Sequence, residues 1–243
     1  MTSIITDKTI TQAIISIAAI IILFSAFWYS ADRQLLQMLL KKLKYPPLSG
    51  PALEFTSEKL TGILMTGVLP LILFVFVLKQ PVSGTAAPVS GSGKTGYLVY
   101  LIPLLTAVIS FFSSRNKELW KYSPRLRETV WNTGHVFLSS GLWIAYLLGY
   151  EFLFRGILWF ACYEAFGFQA ALIVNLILYS LVHLPQGTFM TLGAIPLGVL
   201  LCCMSFLTGS FLPAFLTHAC MAVTTELSSF YHNPEFRFSR TGH

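Results

Sequence analysis

A glutamate and an arginine four residues apart, Glu151 and Arg155, interrupt a long apolar stretch in the run Gly149-Tyr-Glu-Phe-Leu-Phe-Arg-Gly156. Between Arg127 and Arg237 there is no other lysine or arginine, and the acids between Glu128 and the tail are Glu151, Glu164 and Glu226. A charge at the centre of a bilayer costs about 2.5–3.5 kcal/mol on insertion scales. At helical spacing the two side chains share a face and can pair. Two histidines follow in later apolar runs: His183 in Tyr179-Ser-Leu-Val-His183, and His218 in Thr208-Gly-Ser-Phe-Leu-Pro-Ala-Phe-Leu-Thr-His218. A partly desolvated carboxylate can take a proton from water, and Arg155 can hold it in place. The imidazoles of His183 and His218 can orient the water, stabilise an oxyanion, or bind a divalent metal such as zinc. Together these groups suit hydrolysis of an amide bond.

Plainer readings compete at each position. Glu151 and Arg155 can be a structural ion pair. His183, followed by Leu184 and Pro185, can sit at the wet interface, whereas His218 lies well inside its span. Glu164 and Glu226 lie near span ends and read as solvated carboxylates. His135, His232 and His243 fall in loops or tail and receive no role.

The elements that carry these residues are membrane helices. The 243 residues have a mean hydropathy of +0.69, with 55% hydrophobic and 11% charged residues, against about 25% charged in soluble domains. Runs near 10–30, 60–78, 96–113, 136–166, 168–183, 190–207 and 211–230 are long enough to cross about 30 Å of hydrocarbon. The expected fold is all-α, a polytopic integral membrane helical bundle of about seven to eight transmembrane helices. The run 136–166 exceeds one crossing, and reads as a tilted helix or as two segments meeting near Gly149. The first run is long, ends in Phe27-Trp28-Tyr29 and lacks a small-residue cleavage site, so it reads as a retained helix. Cys162, Cys202, Cys203 and Cys220 all lie in spans with neither metal-ligand nor disulfide spacing.

The net charge of +6 clusters beside these spans. Residues 31–59 carry Arg33, Lys41, Lys42, Lys44 and Lys59, and residues 114–132 carry Arg115, Lys117, Lys121, Arg125 and Arg127. The positive-inside rule puts both segments in the cytoplasm and the N-terminus outside. Arg33–Lys44, ended by Pro46 and Pro47, reads as a basic amphipathic stretch on membrane lipid. Nucleic acid is the weaker reading of this charge and is not expected as a partner, since the charges flank spans and no binding motif accompanies them. The Pro-, Ser- and Gly-rich loop 80–96 reads as a connector. Its Gly93-Lys94-Thr95 imitates a phosphate-binding loop, but Pro88 stands where that loop needs glycine.

Taken together, the motifs resemble the CPBP family, the CAAX prenyl protease and bacteriocin-processing (Abi-type) intramembrane proteases. Glu151-Phe-Leu-Phe-Arg-Gly156 is similar to the family's Glu-Glu-x-x-x-Arg signature, Tyr179–His183 to its Phe-x-x-x-His, and the run ending at His218 to its His-x-x-x-Asn. The resemblance covers roughly 130–230. It implies an intramembrane endopeptidase acting on a peptide or membrane-protein substrate. Glu151 would activate water, Arg155 would orient it, and His183 and His218 would stabilise the oxyanion or hold a metal. Tyr150 replaces the first glutamate, Ala222 the third-motif asparagine and Tyr179 the second-motif phenylalanine. The alternative is therefore an inactive membrane scaffold or partner protein. Paired aspartates are excluded, since Asp7 and Asp32 are the only two, and no His-Glu-x-x-His or Gly-x-Ser-x-Gly occurs. A serine–histidine dyad through Ser180 or Ser210 has no motif behind it. A transporter would need polar residues throughout, and these cluster in the second half. The expected organisation is N-terminal helices with basic loops over 1–130, a protease-like core over 131–232 and a short polar tail over 233–243, in a plasma or bacterial inner membrane. Oligomeric state is not legible.

Overall fold

The computed structural model describes residues 7–29, 34–42, 48, 50–80 and 96–239. The imitation phosphate loop at 93–95, most of the connector around it, and Arg33 and 43–47 of the basic stretch lie outside these residues. The described chain is an all-α bundle. Its helices are α1 (Asp7–Tyr29), α2 (Gln34–Lys42), α3 (Gly50–Val77), α4 (Leu98–Ser113), α5 (Thr133–Glu151), α6 (Trp159–Leu181), α7 (Thr188–Thr208) and α8 (Leu212–His232). A π-helical turn, Phe152–Leu158, joins α5 to α6 without a break.

Four stretches are long and apolar enough to cross a bilayer: Asp7–Trp28, Gly50–Val77, Thr133–Leu181 and Thr188–Thr208; α4 is shorter. Polarity is arranged as the bilayer requires. Ile21, Ile22, Leu104 and Leu105 are exposed on α1 and α4, while Glu151, Arg155, Asn175, Ser205 and Thr217 are fully buried. The 49-residue stretch Thr133–Leu181 would extend about 70 Å if straight, more than twice the hydrocarbon thickness. It turns back at Gly167, whose φ of 78° and ψ of 178° interrupt the helix. The division between segments therefore falls at Gly167, and the helix runs through Gly149 unbroken.

Gly149 serves a different purpose. A Cβ there would lie 2.6 Å from the Cα of Gly67 and 2.9 Å from its nitrogen. The backbones of α3 and α5 thus touch, as membrane helices do at small residues. Both helices are π-helical beside the crossing, at Ile63–Val68 and Phe152–Leu158. Gly149→Ala is expected to lower the unfolding temperature in detergent, because overpacking against backbone costs about 1–3 kcal/mol. An unchanged melting curve would show that α3 yields freely.

The loop between α4 and α5 is fastened to the bundle by Glu226 of α8. Its carboxylate accepts the N–H of Arg125 at 2.7 Å, the N–H of Leu126 at 3.0 Å and the hydroxyl of Ser139 at 3.1 Å. Glu226 is 2% exposed, which corrects its reading as a solvated carboxylate. Glu164 is exposed. Trp131 is buried below the same loop and stacks on Phe230 at 4.5 Å. Beside it, Val130–Trp131 pairs in parallel with Arg237–Phe238 of the tail.

Candidate active site

Glu151 ends α5 and Arg155 lies in the wide π turn that follows, so both point into the bundle. The Nη1 of Arg155 is 3.1 Å from the Oε2 of Glu151 and donates to Oε1 at 3.4 Å. The Nδ1 of His218, from the opposing α8, lies 2.5 Å from the same Oε1. Glu151 and Arg155 are wholly buried and His218 is 7% exposed. Two neighbouring residues and a third from a distant helix thus form one line, Arg155–Glu151–His218. A carboxylate only accepts, so the Nδ1 of His218 is the donor. In the neutral ring its Nε2 is then left as an acceptor.

Arg155 is held on its other side by aromatic faces. Its guanidinium carbon is 4.2 Å from the ring centre of Tyr179 and 5.5 Å from that of Phe154. The π turn also presents the carbonyl of Phe154 to Asn175, whose Nδ2 donates to it at 2.9 Å. Such turns often occur at functional sites, because they displace one residue from the helical register. Asn175 is fully buried. Its place in an otherwise apolar run is the signal that the sequence offers for it.

His183 occupies a different environment. Helix α6 ends at Leu181, Leu184–Gln186 form a short 3-10 turn, and α7 starts at Thr188. The span thus stops two residues short of His183 and does not continue past Pro185. The Nδ1 of His183 is 2.7 Å from the carbonyl oxygen of Tyr179. Since that oxygen accepts, Nδ1 is again the donor. His183 is half-buried. It makes no hydrogen bond to Glu151 among the described contacts, but the rings of both histidines lie against Tyr150. The centroid distances are 6.4 Å to His183 and 5.8 Å to His218, with the rings nearly perpendicular.

Among the described residues no three His, Cys, Asp or Glu side chains are placed to hold a metal ion. Zinc usually takes at least three protein ligands. His183 and His218 each have Nδ1 held by an oxygen, as metal-ligating histidines usually do, which leaves the Nε2 of each available as a ligand, while the nearby carboxylate is paired with Arg155 and His218. The described residues thus offer two imidazole nitrogens, fewer than the three protein ligands zinc usually takes. Ser210, the partner weighed for a serine–histidine dyad, is fully buried and accepts the N–H of Leu212 at 3.3 Å.

The motif departures have structural counterparts. Tyr150 is 3% exposed and packs among Phe24, Tyr146, Phe154 and Tyr179. Ala222, one turn beyond His218, packs against the main core and offers no polar group. Residues 131–224 match the family described as type II CAAX prenyl endopeptidase Rce1-like. This bears out the resemblance read from the three motifs, and the matched segment contains Glu151, Arg155, His183 and His218. No curated protein and no solved structure matches the chain.

Proposed function

We propose that this integral membrane protein is an intramembrane endopeptidase of the CAAX type, hydrolysing a peptide bond at or near the bilayer surface. The observation that carries this reading is the buried Arg155–Glu151–His218 line, inside the segment that matches the family. A bundle kept only for stability gains little from such a pair, since apolar replacements of buried ion pairs are often neutral or stabilising.

The Oε1 of Glu151 accepts from His218 and Arg155 and its Oε2 faces the Arg155 guanidinium, so in this reading it acts on water through His218 rather than directly. The Nε2 of His218 takes a proton from water, and the resulting imidazolium is stabilised by Glu151 through Nδ1. The water oxygen attacks the scissile carbonyl carbon, and the carbonyl π electrons move to oxygen. His218 then returns its proton to the departing amine nitrogen as the C–N bond breaks and the carbonyl re-forms. Arg155 fixes the carboxylate in place by pairing with it. The Nε2 of His183, an acceptor because Nδ1 faces Tyr179, receives the second hydrogen of the water and orients it. The two imidazoles therefore act on the water and not as the oxyanion donors that the motif resemblance implied.

The family description makes a prenylated Cys-aliphatic-aliphatic-X peptide the first substrate to offer. Purified protein in liposomes should release the terminal tripeptide from a farnesylated peptide of this kind, detected by mass spectrometry. No release from this or a non-prenylated comparator would overturn the reading. It would leave the inactive scaffold, which the substitution of Tyr150 and Ala222 at motif positions favours. The basic segments 31–59 and 114–132 should face the cytoplasm. Single cysteines introduced at Lys42 and Lys117 should then resist a membrane-impermeant maleimide in intact cells, and labelling of both would invert the topology.

A further inference from the structure

We propose that the hydroxyl of Tyr150 is the hydrogen-bond donor to the oxyanion in this site. This rests on the protease reading above and assigns a role to the residue that stands in place of the family's first glutamate.

Hydrolysis of an amide needs a donor aimed at the carbonyl oxygen as it gains charge. The imidazole and amide donors here are already used, and the unpartnered Nε and Nη2 of Arg155 belong to the group that pairs with Glu151. Both imidazoles spend their N–H on other groups, His218 on Glu151 and His183 on the carbonyl of Tyr179. The side-chain N–H of Asn175 goes to the carbonyl of Phe154. Arg155 lies behind Glu151 and is covered by the ring of Tyr179. Ala222 has no donor to give.

Two tyrosines with unpartnered buried hydroxyls remain, Tyr150 and Tyr179. Tyr179 also lies against the imidazoles, at 4.7 Å from His183 and 6.4 Å from His218, but its ring covers the Arg155 guanidinium, which leaves Tyr150. Its ring lies against both imidazoles, at 6.4 Å from His183 and 5.8 Å from His218. A carbonyl attacked by water held between those histidines lies next to it. The aromatic neighbours Phe24 and Phe154 offer its hydroxyl no acceptor, and the hydroxyl is buried without a hydrogen-bond partner. Buried polar groups are nearly always partnered, and an exception calls for an explanation. A donor whose partner is the substrate itself is such an explanation, because catalytic hydrogen bonds often form only in the substrate complex. A phenol suits this task. It stays protonated at neutral pH, with an ordinary pKa of about 10, and so donates where a carboxylate would repel the oxyanion.

The test compares wild type with Tyr150→Phe, using the farnesylated peptide in liposomes and thermal unfolding in detergent. The substitution removes one oxygen that has no partner, so the unfolding temperature should be equal or higher. The kcat should fall about 10²–10³-fold, as for loss of one oxyanion donor, with KM unchanged because the bond forms in the transition state. A folded variant with kcat within about twofold of wild type would overturn the proposal and leave the protease reading intact. A variant that unfolds would also overturn it, since the hydroxyl would then hold the fold together. Wild-type protein that cleaves neither peptide would remove the protease reading and this proposal with it.

Discussion

Glu151→Gln is expected to reduce cleavage by about 10²–10⁴-fold, the range for loss of general-base assistance. The change keeps an oxygen that can accept the Nδ1–H of His218, so the imidazole should stay where it is, 2.5 Å from that position. What disappears is the negative charge that stabilises the imidazolium when the Nε2 takes the proton of water. The loss should appear in kcat with little change in KM. Arg155 loses its counter-ion in the same variant, so unfolding must be followed in parallel. A folded Glu151→Gln protein that cleaves at the wild-type rate would remove Glu151 from the reaction.

Arg155→Leu is expected to give the largest loss of stability, about 3–5 kcal/mol, because it leaves the wholly buried Glu151 without its cation. His218 would remain as the carboxylate's one partner, and it must be charged to replace Arg155. The double variant Arg155→Leu, Glu151→Leu should recover most of that loss, since an apolar pair needs no compensation. Thermal unfolding of both in the same detergent is the measurement. If the single variant is as stable as wild type, Glu151 carries no charge in the folded protein, and the ion-pair account of the site fails. Recovery of stability in a double variant that has lost all cleavage would separate what the pair does for function from what it does for the fold.

Some of this was legible from the residues in order, and the reason is local. Apolar runs over α1, α3, α4, α6 and α7 mark helices because in hydrocarbon each backbone group must be satisfied within its own segment. A Glu and an Arg four apart must share a helix face, so their pairing needed no long-range information. The motif order placed His218 in the same site, which its hydrogen bond to Glu151 matches.

Other properties depended on which helices meet. Glu226 sits near a helix end and reads as solvated, yet the loop N–H groups of Arg125 and Leu126, about a hundred residues earlier, cover it. Gly149 suggested a break, but its missing Cβ allows the backbone of Gly67 to touch it. The break falls at Gly167, between the runs 136–166 and 168–183 as expected, and of the two readings of 136–166 the single continuous helix is the one found. Burial of Asn175 follows from the π turn that exposes the Phe154 carbonyl to it. The sequence by itself determined a membrane bundle with an acid, a base and two imidazoles available for hydrolysis, because composition and helical spacing are properties of adjacent residues. Only the tertiary structure decided that His218 binds Glu151, that His183 binds a carbonyl instead, and that Tyr150 lies against both rings. Those choices depend on helix crossings between residues far apart in the chain, where no local spacing encodes a distance.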